Sequence, residues 1–239
     1  MTGMFFPNTC PVCGKVMPVG NIDICRKCIS KARYIREPRC KKCGRMLEKE
    51  EYVYCDECKI IPHQFEQGVS VFVHTGDIRN SIYDFKYKNR RDYAEFFAME
   101  AKKNLGRYIR KWNVDVVVPV PVYPKKEIKR GYNQAGEFGK RISEIMNIPY
   151  DDKLLIRKIN TAPQKELSDY MRYVNLKGVF GVDTEKIKKY QRVLIVDDIY
   201  TTGATVDACA NVLRKAGIGK VYFLCISAGV PGSKDNSND

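Results

Sequence analysis

The sequence predicts an α/β domain on a parallel sheet with crossover helices, joined to a small cysteine-rich, metal-binding region at its N-terminal end. Three observations carry that reading. Eight of the ten cysteines precede residue 59, and from about Phe65 onward short apolar runs alternate with longer amphipathic stretches. A chain of 239 residues with 44% hydrophobic and 29% charged side chains is also long enough for one full core and an appendage.

The cysteines come first. Cys10, Cys13, Cys25 and Cys28 recur as Cys40, Cys43, Cys55 and Cys58, each shifted by 30 residues, and Gly14 recurs as Gly44. Each repeat reads Cys-x2-Cys-Gly and then a second Cys-x2-Cys, a spacing with which two tight knuckles supply four thiolates to one tetrahedral zinc. Two structural zinc ions are expected. Disulfides are the alternative, but paired cysteines two residues apart in a reducing compartment are metal spacing. No pair is followed by His, which excludes haem attachment. The spacing leaves open whether each repeat closes its own site or the pairs interleave; duplication favours two consecutive ribbons. This region is assigned to residues 1–63, with His63 read as a linker residue and His74 given no role.

Strands are then expected near Gly68–Val73, Val114–Pro119, Arg192–Val196 and Lys220–Ile226, with helices near Ile78–Lys86, Asp92–Trp112, Asn133–Met146 and Gly203–Lys215. The segment Ile156–Asn175 has no clear period and is read as a mobile loop entering a helix. Residues 64–231 form the main domain and the polar segment 232–239 a disordered tail. No apolar run reaches membrane-spanning length and the start lacks the character of a signal peptide, so a soluble, cytoplasmic protein without membrane insertion is expected.

Forty-two Lys and Arg against twenty-eight Asp and Glu give a formal charge of +14. Eight zinc-bound thiolates would reduce it to about +10. The excess suits polyanions such as nucleic acid or polyphosphates, or else a solvated surface.

The sharpest chemistry lies in Arg192-Val193-Leu194-Ile195-Val196-Asp197-Asp198-Ile199-Tyr200-Thr201-Thr202-Gly203-Ala204-Thr205, where an apolar strand delivers two acids, a hydroxyl-rich turn and a helix start. Such a turn is an anion cradle. Thr201, Thr202 and Thr205 offer hydroxyls, the amides from Thr202 through Gly203 and Ala204 to Thr205 point at a phosphate, and Gly203 permits close approach. Asp197 and Asp198 are placed to accept hydrogen bonds from ribose hydroxyls.

That string resembles the signature of type I phosphoribosyltransferases. With Asp115 to Val122, Lys129 to Gln134, Leu176 to Phe180 and the double cysteine module, the chain is similar over nearly its whole length to the ComF family of competence-associated phosphoribosyltransferase-like proteins. The resemblance implies a Rossmann-like core binding 5-phosphoribosyl-1-pyrophosphate (PRPP) with magnesium. It also implies transfer of the phosphoribosyl group to an acceptor that the sequence does not identify, with Asp197 and Asp198 as the catalytic acids. By position the loop at Val120, Pro121 and Val122 would meet the diphosphate through its backbone, with Arg130 nearby; Arg157, Gln164 and Arg172 lie in or beside a closing loop.

A second implication is a role in DNA uptake, with single-stranded DNA and, where such machinery exists, a helicase-like protein as partners; a non-catalytic, ligand-gated DNA-handling module is the alternative to an enzyme. Basic and aromatic residues interleave around Tyr83, Lys86, Tyr87, Lys88, Arg90, Arg91 and Tyr93, around Arg107 to Trp112, and around Tyr123, Lys125, Lys126, Lys129, Arg130 and Tyr132. They read either as a stacking groove for single strands or as buried rings beside solvated charges.

Overall fold

The computed structural model describes residues 9–18, 24–161 and 169–230, without the side chains of 169 and 170. The expected tail 232–239 and Gln164 lie outside the described residues. In chain order the elements are α1 (Asp56–Ile60), β1 (Gln67–Val73), α2 (Gly76–Tyr87), α3 (Tyr93–Trp112), β2 (Val116–Pro119), α4 (Pro124–Arg130) and α5 (Gln134–Met146). There follow β3 (Leu155–Arg157), α6 (Asp169–Asn175), β4 (Phe180–Val182), β5 (Arg192–Tyr200), α7 (Ala204–Lys215) and β6 (Lys220–Ala228).

Strands pair in the order β1-β6-β5-β2, all parallel, and Tyr150 adds a parallel bridge to Val117 at the β2 edge. Successive side chains of a strand point to opposite faces. Val193 and Ile195 of β5 therefore enter the apolar layer under α7, and Leu194 and Val196 enter the layer under α3 and α5. A strand buried on both faces reads as a continuous apolar run, which is why Arg192–Val196 was legible as sheet. The two layers make the α/β core that the sequence predicts, with the tandem cysteine module at its N-terminal side.

Helix boundaries follow local chemistry. Asn133 caps α5 by accepting a hydrogen bond from the Ala135 amide at 3.1 Å. Asn113, Gly131 and Asn147, all in the left-handed region, end α3, α4 and α5.

The segment 156–175 ends in the helix that was expected of it and differs from the reading at its start, which is a strand. Leu155–Arg157 forms β3, which pairs antiparallel with β4, and 169–175 is α6. Three-residue strands whose partner lies some 25 positions on leave no local period to read.

The cysteine module is docked on the core. Residues 33–35 run antiparallel along β1, with the Ile35 amide donating to Val71 O at 2.9 Å and the Val73 amide to Arg33 O at 2.8 Å, so the exposed edge of the sheet is covered. Gly44 sits so close to β1 that a Cβ there would lie 2.3 Å from Gly68 O.

Candidate functional site

Each cysteine repeat closes its own four-thiol cluster, Cys10, Cys13, Cys25 and Cys28 in one and Cys40, Cys43, Cys55 and Cys58 in the other. The backbone repeats as faithfully as the sequence: the Cys10 and Cys40 amides donate to Lys15 O and Arg45 O, and the Gly14 and Gly44 amides to Cys10 O and Cys40 O. All four sulfurs of a cluster lie within 4.8 Å of one another, with Cys13 and Cys25 3.8 Å apart and Cys43 and Cys55 3.7 Å apart. Tetrahedral zinc at a sulfur distance of about 2.3 Å needs thiolates about 3.8 Å apart, so both clusters fit the ion. With four thiolates each and no fifth donor among the described residues, they are closed sites of the structural kind. His63 belongs to neither.

The second cluster of chemistry is at the carboxyl end of β5. The strand runs four residues further than the sequence pattern indicates, to Tyr200, because β6 is equally long and its register carries Asp197 opposite Cys225 and Ile199 opposite Ser227. The acids therefore sit on rigid sheet. Burial first, then the neighbouring Asp198, pushes the Asp197 carboxyl up to about 7; the Asp198 amide, Lys86 and Arg157 act in the opposite direction. Asp198 pairs with Lys86 Nζ at 2.9 Å.

After the acids the chain turns through Thr201 and Thr202 into α7. Gly203 stands at the helix N-cap with φ +83, and a Cβ there would meet the Tyr200 hydroxyl at 2.6 Å, so both backbone and space require glycine. The Ala204 amide reaches Thr202 Oγ1 at 3.4 Å. Thr202, Gly203 and Ala204 are buried and Thr201 and Thr205 half-buried, so the turn is recessed.

The neighbouring loop changes one expectation. The Val120 amide is taken by Val196 O at 2.9 Å, Pro121 has no N–H, and Val120 O accepts from Asn133 Nδ2 at 3.0 Å. Neither Val120 nor Pro121 has a backbone donor left for a diphosphate. Arg130 donates to buried Gln134 Oε1 at 3.0 Å, and Gln134 Nε2 donates to Lys86 O at 3.3 Å, so Arg130 is tied through one side chain to the lysine that pairs Asp198. Arg157 on β3 donates to Thr161 Oγ1 at 2.6 Å and carries its guanidinium 5.3 Å from the centre of the Phe180 ring. Arg172 is buried.

The basic clusters separate. Tyr93, Trp112 and Tyr132 are core residues, so those rings are not free to stack on a ligand. Arg90 pairs with Asp92 and lies over Tyr93, and Arg91 lies over Tyr132 and donates to Gly131 O. Lys88 pairs with Asp84 at 2.9 Å, Lys126 donates to Thr161 O at 3.2 Å, and Lys125 and Lys129 are exposed. Tyr83 and Tyr87 are the exception: both are exposed, their rings are 4.8 Å apart, and Arg130 lies 5.0 Å from the Tyr87 ring.

Three residues escape the sequence reading. His63 is buried, with Nδ1 2.5 Å from Asp207 Oδ2, while the Gln64 amide donates to Asp207 Oδ1 at 2.9 Å. Tyr173 donates its hydroxyl to Thr202 O at 2.7 Å. The available signal was Asp207 itself, an acid in a run of apolar residues, Val206 and Ala208 to Ala210, where a buried carboxylate needs partners.

A family model described as a double zinc ribbon domain matches residues 1–59. The chain is 27% identical over 222 residues to competence protein F of Haemophilus influenzae, covering 91% of this chain and 95% of that one. It is 26% identical over 227 residues to the DNA utilization protein YhgH of Escherichia coli K12, covering 92% and 96%. Among solved structures, a glutamine phosphoribosylpyrophosphate amidotransferase from B. subtilis aligns at 22% identity with a TM-score of 0.38, over 60% of this chain and 30% of that one. No helix among the described residues is long and apolar enough to cross a membrane. Along nearly its whole length the chain is similar to competence protein F and to YhgH, and residues 1–59 match the double zinc ribbon domain.

Proposed function

We propose that the chain binds PRPP with magnesium at the end of β5 and handles DNA in the service of uptake or utilization, with transfer of the phosphoribosyl group to an acceptor as its reaction. The observation that carries the reading is the run from two adjacent acids, the first of them desolvated, straight into a glycine-started helix, Asp197 to Thr205. The amides of Gly203, Ala204 and Thr205 and the hydroxyls of Thr201, Thr202 and Thr205 would hold the 5-phosphate at the helix N-terminus. Asp197 and Asp198 would accept from the ribose hydroxyls, and Lys86, now on Asp198, would be shared with the ligand. Magnesium, when bound on the diphosphate, neutralises the leaving group's charge. The chain's own part is to orient the sugar and exclude water while positive charge develops at its anomeric carbon. Asp197 and Asp198 are the catalytic acids of that proposal, and Arg130 and Arg157 supply nearby cations.

The reading is supported further by the relatives' names, which place them in competence and DNA utilization. A second reading, a DNA-handling module without transfer, draws on the exposed, paired Tyr83 and Tyr87 rings, with Arg130 beside Tyr87 and with the preceding residue, Lys86, paired to Asp198. Stacking rings with cations hold single strands without sequence preference.

Calorimetric titration of PRPP with magnesium into the zinc-loaded chain tests the site. Saturable binding, abolished in the double variant Asp197→Asn and Asp198→Asn, is expected; absence of binding by the intact, two-zinc protein would refute the reading. Magnesium-dependent pyrophosphate release in the presence of acceptors then separates enzyme from module.

A further inference from the structure

The two ribbons share a sequence pattern but meet different parts of the molecule. Among the buried residues, Cys10 and Cys28 of the first belong to the apolar layer of α3, whereas Cys40, Cys43 and Cys55 of the second belong to the layer of α7. Among the described residues, only the second is wired to the phosphate cradle.

Two paths connect them. In the first, buried Arg45 donates Nη2 to Cys55 Sγ at 3.5 Å, ion-pairs with Glu57, and lies 5.5 Å from the centre of the Tyr200 ring; the Tyr200 hydroxyl in turn fills the space beneath Gly203. In the second, the strap that follows Cys58 carries His63 and Gln64 onto the two oxygens of Asp207 in the first turn of α7. An ionised carboxylate only accepts, so His63 donates through Nδ1–H. Tyr173 joins the same point from α6, reaching Thr202 O at 2.7 Å and Asp207 Oδ2 at 3.5 Å.

The junction is also under-satisfied. Of the five buried side-chain polar atoms that lack a hydrogen-bond partner among the described residues, three belong to residues of these two paths: Arg45 Nε, His63 Nε2 and the Tyr200 hydroxyl. Such atoms are costly wherever they occur, so the residues that carry them are held in place by their other contacts. An acid in the first turn of a helix whose N-terminus receives an anion is a further conflict, since its charge opposes the ligand's. The strap leaves that charge in place but fixes it, engaging both carboxylate oxygens.

We infer that the second ribbon and its strap are a positioning element of the cradle, with His63 as the positioning residue, so that zinc in the second site and ligand at Gly203 to Thr205 each strengthen the other. The inference rests on the phosphoribosyl-binding reading above. Coupling of two sites is reciprocal: whatever factor zinc contributes to ligand affinity, ligand contributes to zinc retention. The first ribbon has no such path among the described residues and serves the opposite face.

The test is zinc release to a chelator from the full chain, resolved between the two sites by mass spectrometry of the cysteines that become alkylatable, with and without PRPP and magnesium. PRPP should slow alkylation of Cys40, Cys43, Cys55 and Cys58 about tenfold and leave Cys10, Cys13, Cys25 and Cys28 unchanged. The variant His63→Leu should lose that protection and bind PRPP roughly tenfold more weakly while holding two zinc ions, and His63→Asn, whose amide N–H can stand in for Nδ1–H, should restore both. If His63→Leu fails to fold, the wild-type protection pattern decides alone. Binding of PRPP with no protection, or with equal protection of both sites, would overturn the inference and leave the ligand site intact. No binding of PRPP at all would overturn the ligand site and the inference with it.

Discussion

The first and second ribbons are one sequence pattern in two environments. Cys13 of the first is exposed, while its counterpart Cys43 is wholly buried; none of the described residues lies within 4 Å of a Cβ on Gly14, while a Cβ on Gly44 would collide with β1. Their backbone conformations match, with φ of +72 and +70. A repeat therefore fixes local geometry and metal chemistry, and docking decides how much of the rest of the molecule depends on each copy.

The largest consequence is for metal loss. Cys43→Ser should abolish zinc at the second site and lower the melting temperature by roughly ten degrees or more, because the ligand is part of the α7 core layer. Cys13→Ser should remove the other zinc and shift melting by far less; calorimetry with zinc analysis compares them, and equal losses would break the contrast.

The glycines sharpen it without touching a metal ligand. Gly44→Ala and Gly14→Ala carry the same strain of roughly 1 kcal/mol from positive φ, but only Gly44→Ala adds backbone overlap with Gly68 and Val69. Denaturant unfolding should show Gly44→Ala as the more damaging by a further few kcal/mol.

At the site itself the effect is smaller and opposite in sign. Asp197 is an acid whose folded pKa, about 7, lies above its ordinary 3.8. Between those values the unfolded chain has released the proton and the folded chain keeps it, so this group makes stability fall as pH rises from about 4 to 7 and then level off. Asp197→Asn should consequently raise the melting temperature by a few degrees at pH 8, less at pH 5 and hardly at all near pH 4, while eliminating ligand binding. A variant equally stabilised at all three pH values would contradict the assigned cause.

The smallest effect concerns exposed Lys125 and Lys129. Replacing both by alanine should leave PRPP affinity unchanged and flatten the log–log salt slope of single-stranded DNA binding by about 0.7 for each phosphate the two lysines neutralise.

What the sequence made legible follows the range of the interactions. The zinc ligands, the apolar run of β5 and the Asp197 to Thr205 turn are local patterns, readable because spacing, strand periodicity and turn chemistry are written in consecutive residues. His63 on Asp207 joins positions 144 apart and Tyr34 on Phe72 joins the module to the sheet, and neither has a period. Tyr93 and Tyr132 read equally well as ligand stackers or core, because a ring beside an arginine has the same sequence in both settings; burial separated them from Tyr83 and Tyr87. Whether Val120 keeps an available amide was not legible either, because that depends on whether the next strand claims it, and Val196 O does.

The central claim is that the turn after β5, on the second ribbon's side of the sheet, is where ligand binds. Amide hydrogen exchange with and without PRPP and magnesium measures it most directly. Slowed exchange is expected at residues 202–206 and in the strap around His63 and Gln64, with the first ribbon unchanged. Binding accompanied by slowed exchange elsewhere, and none between residues 197 and 206, would contradict it.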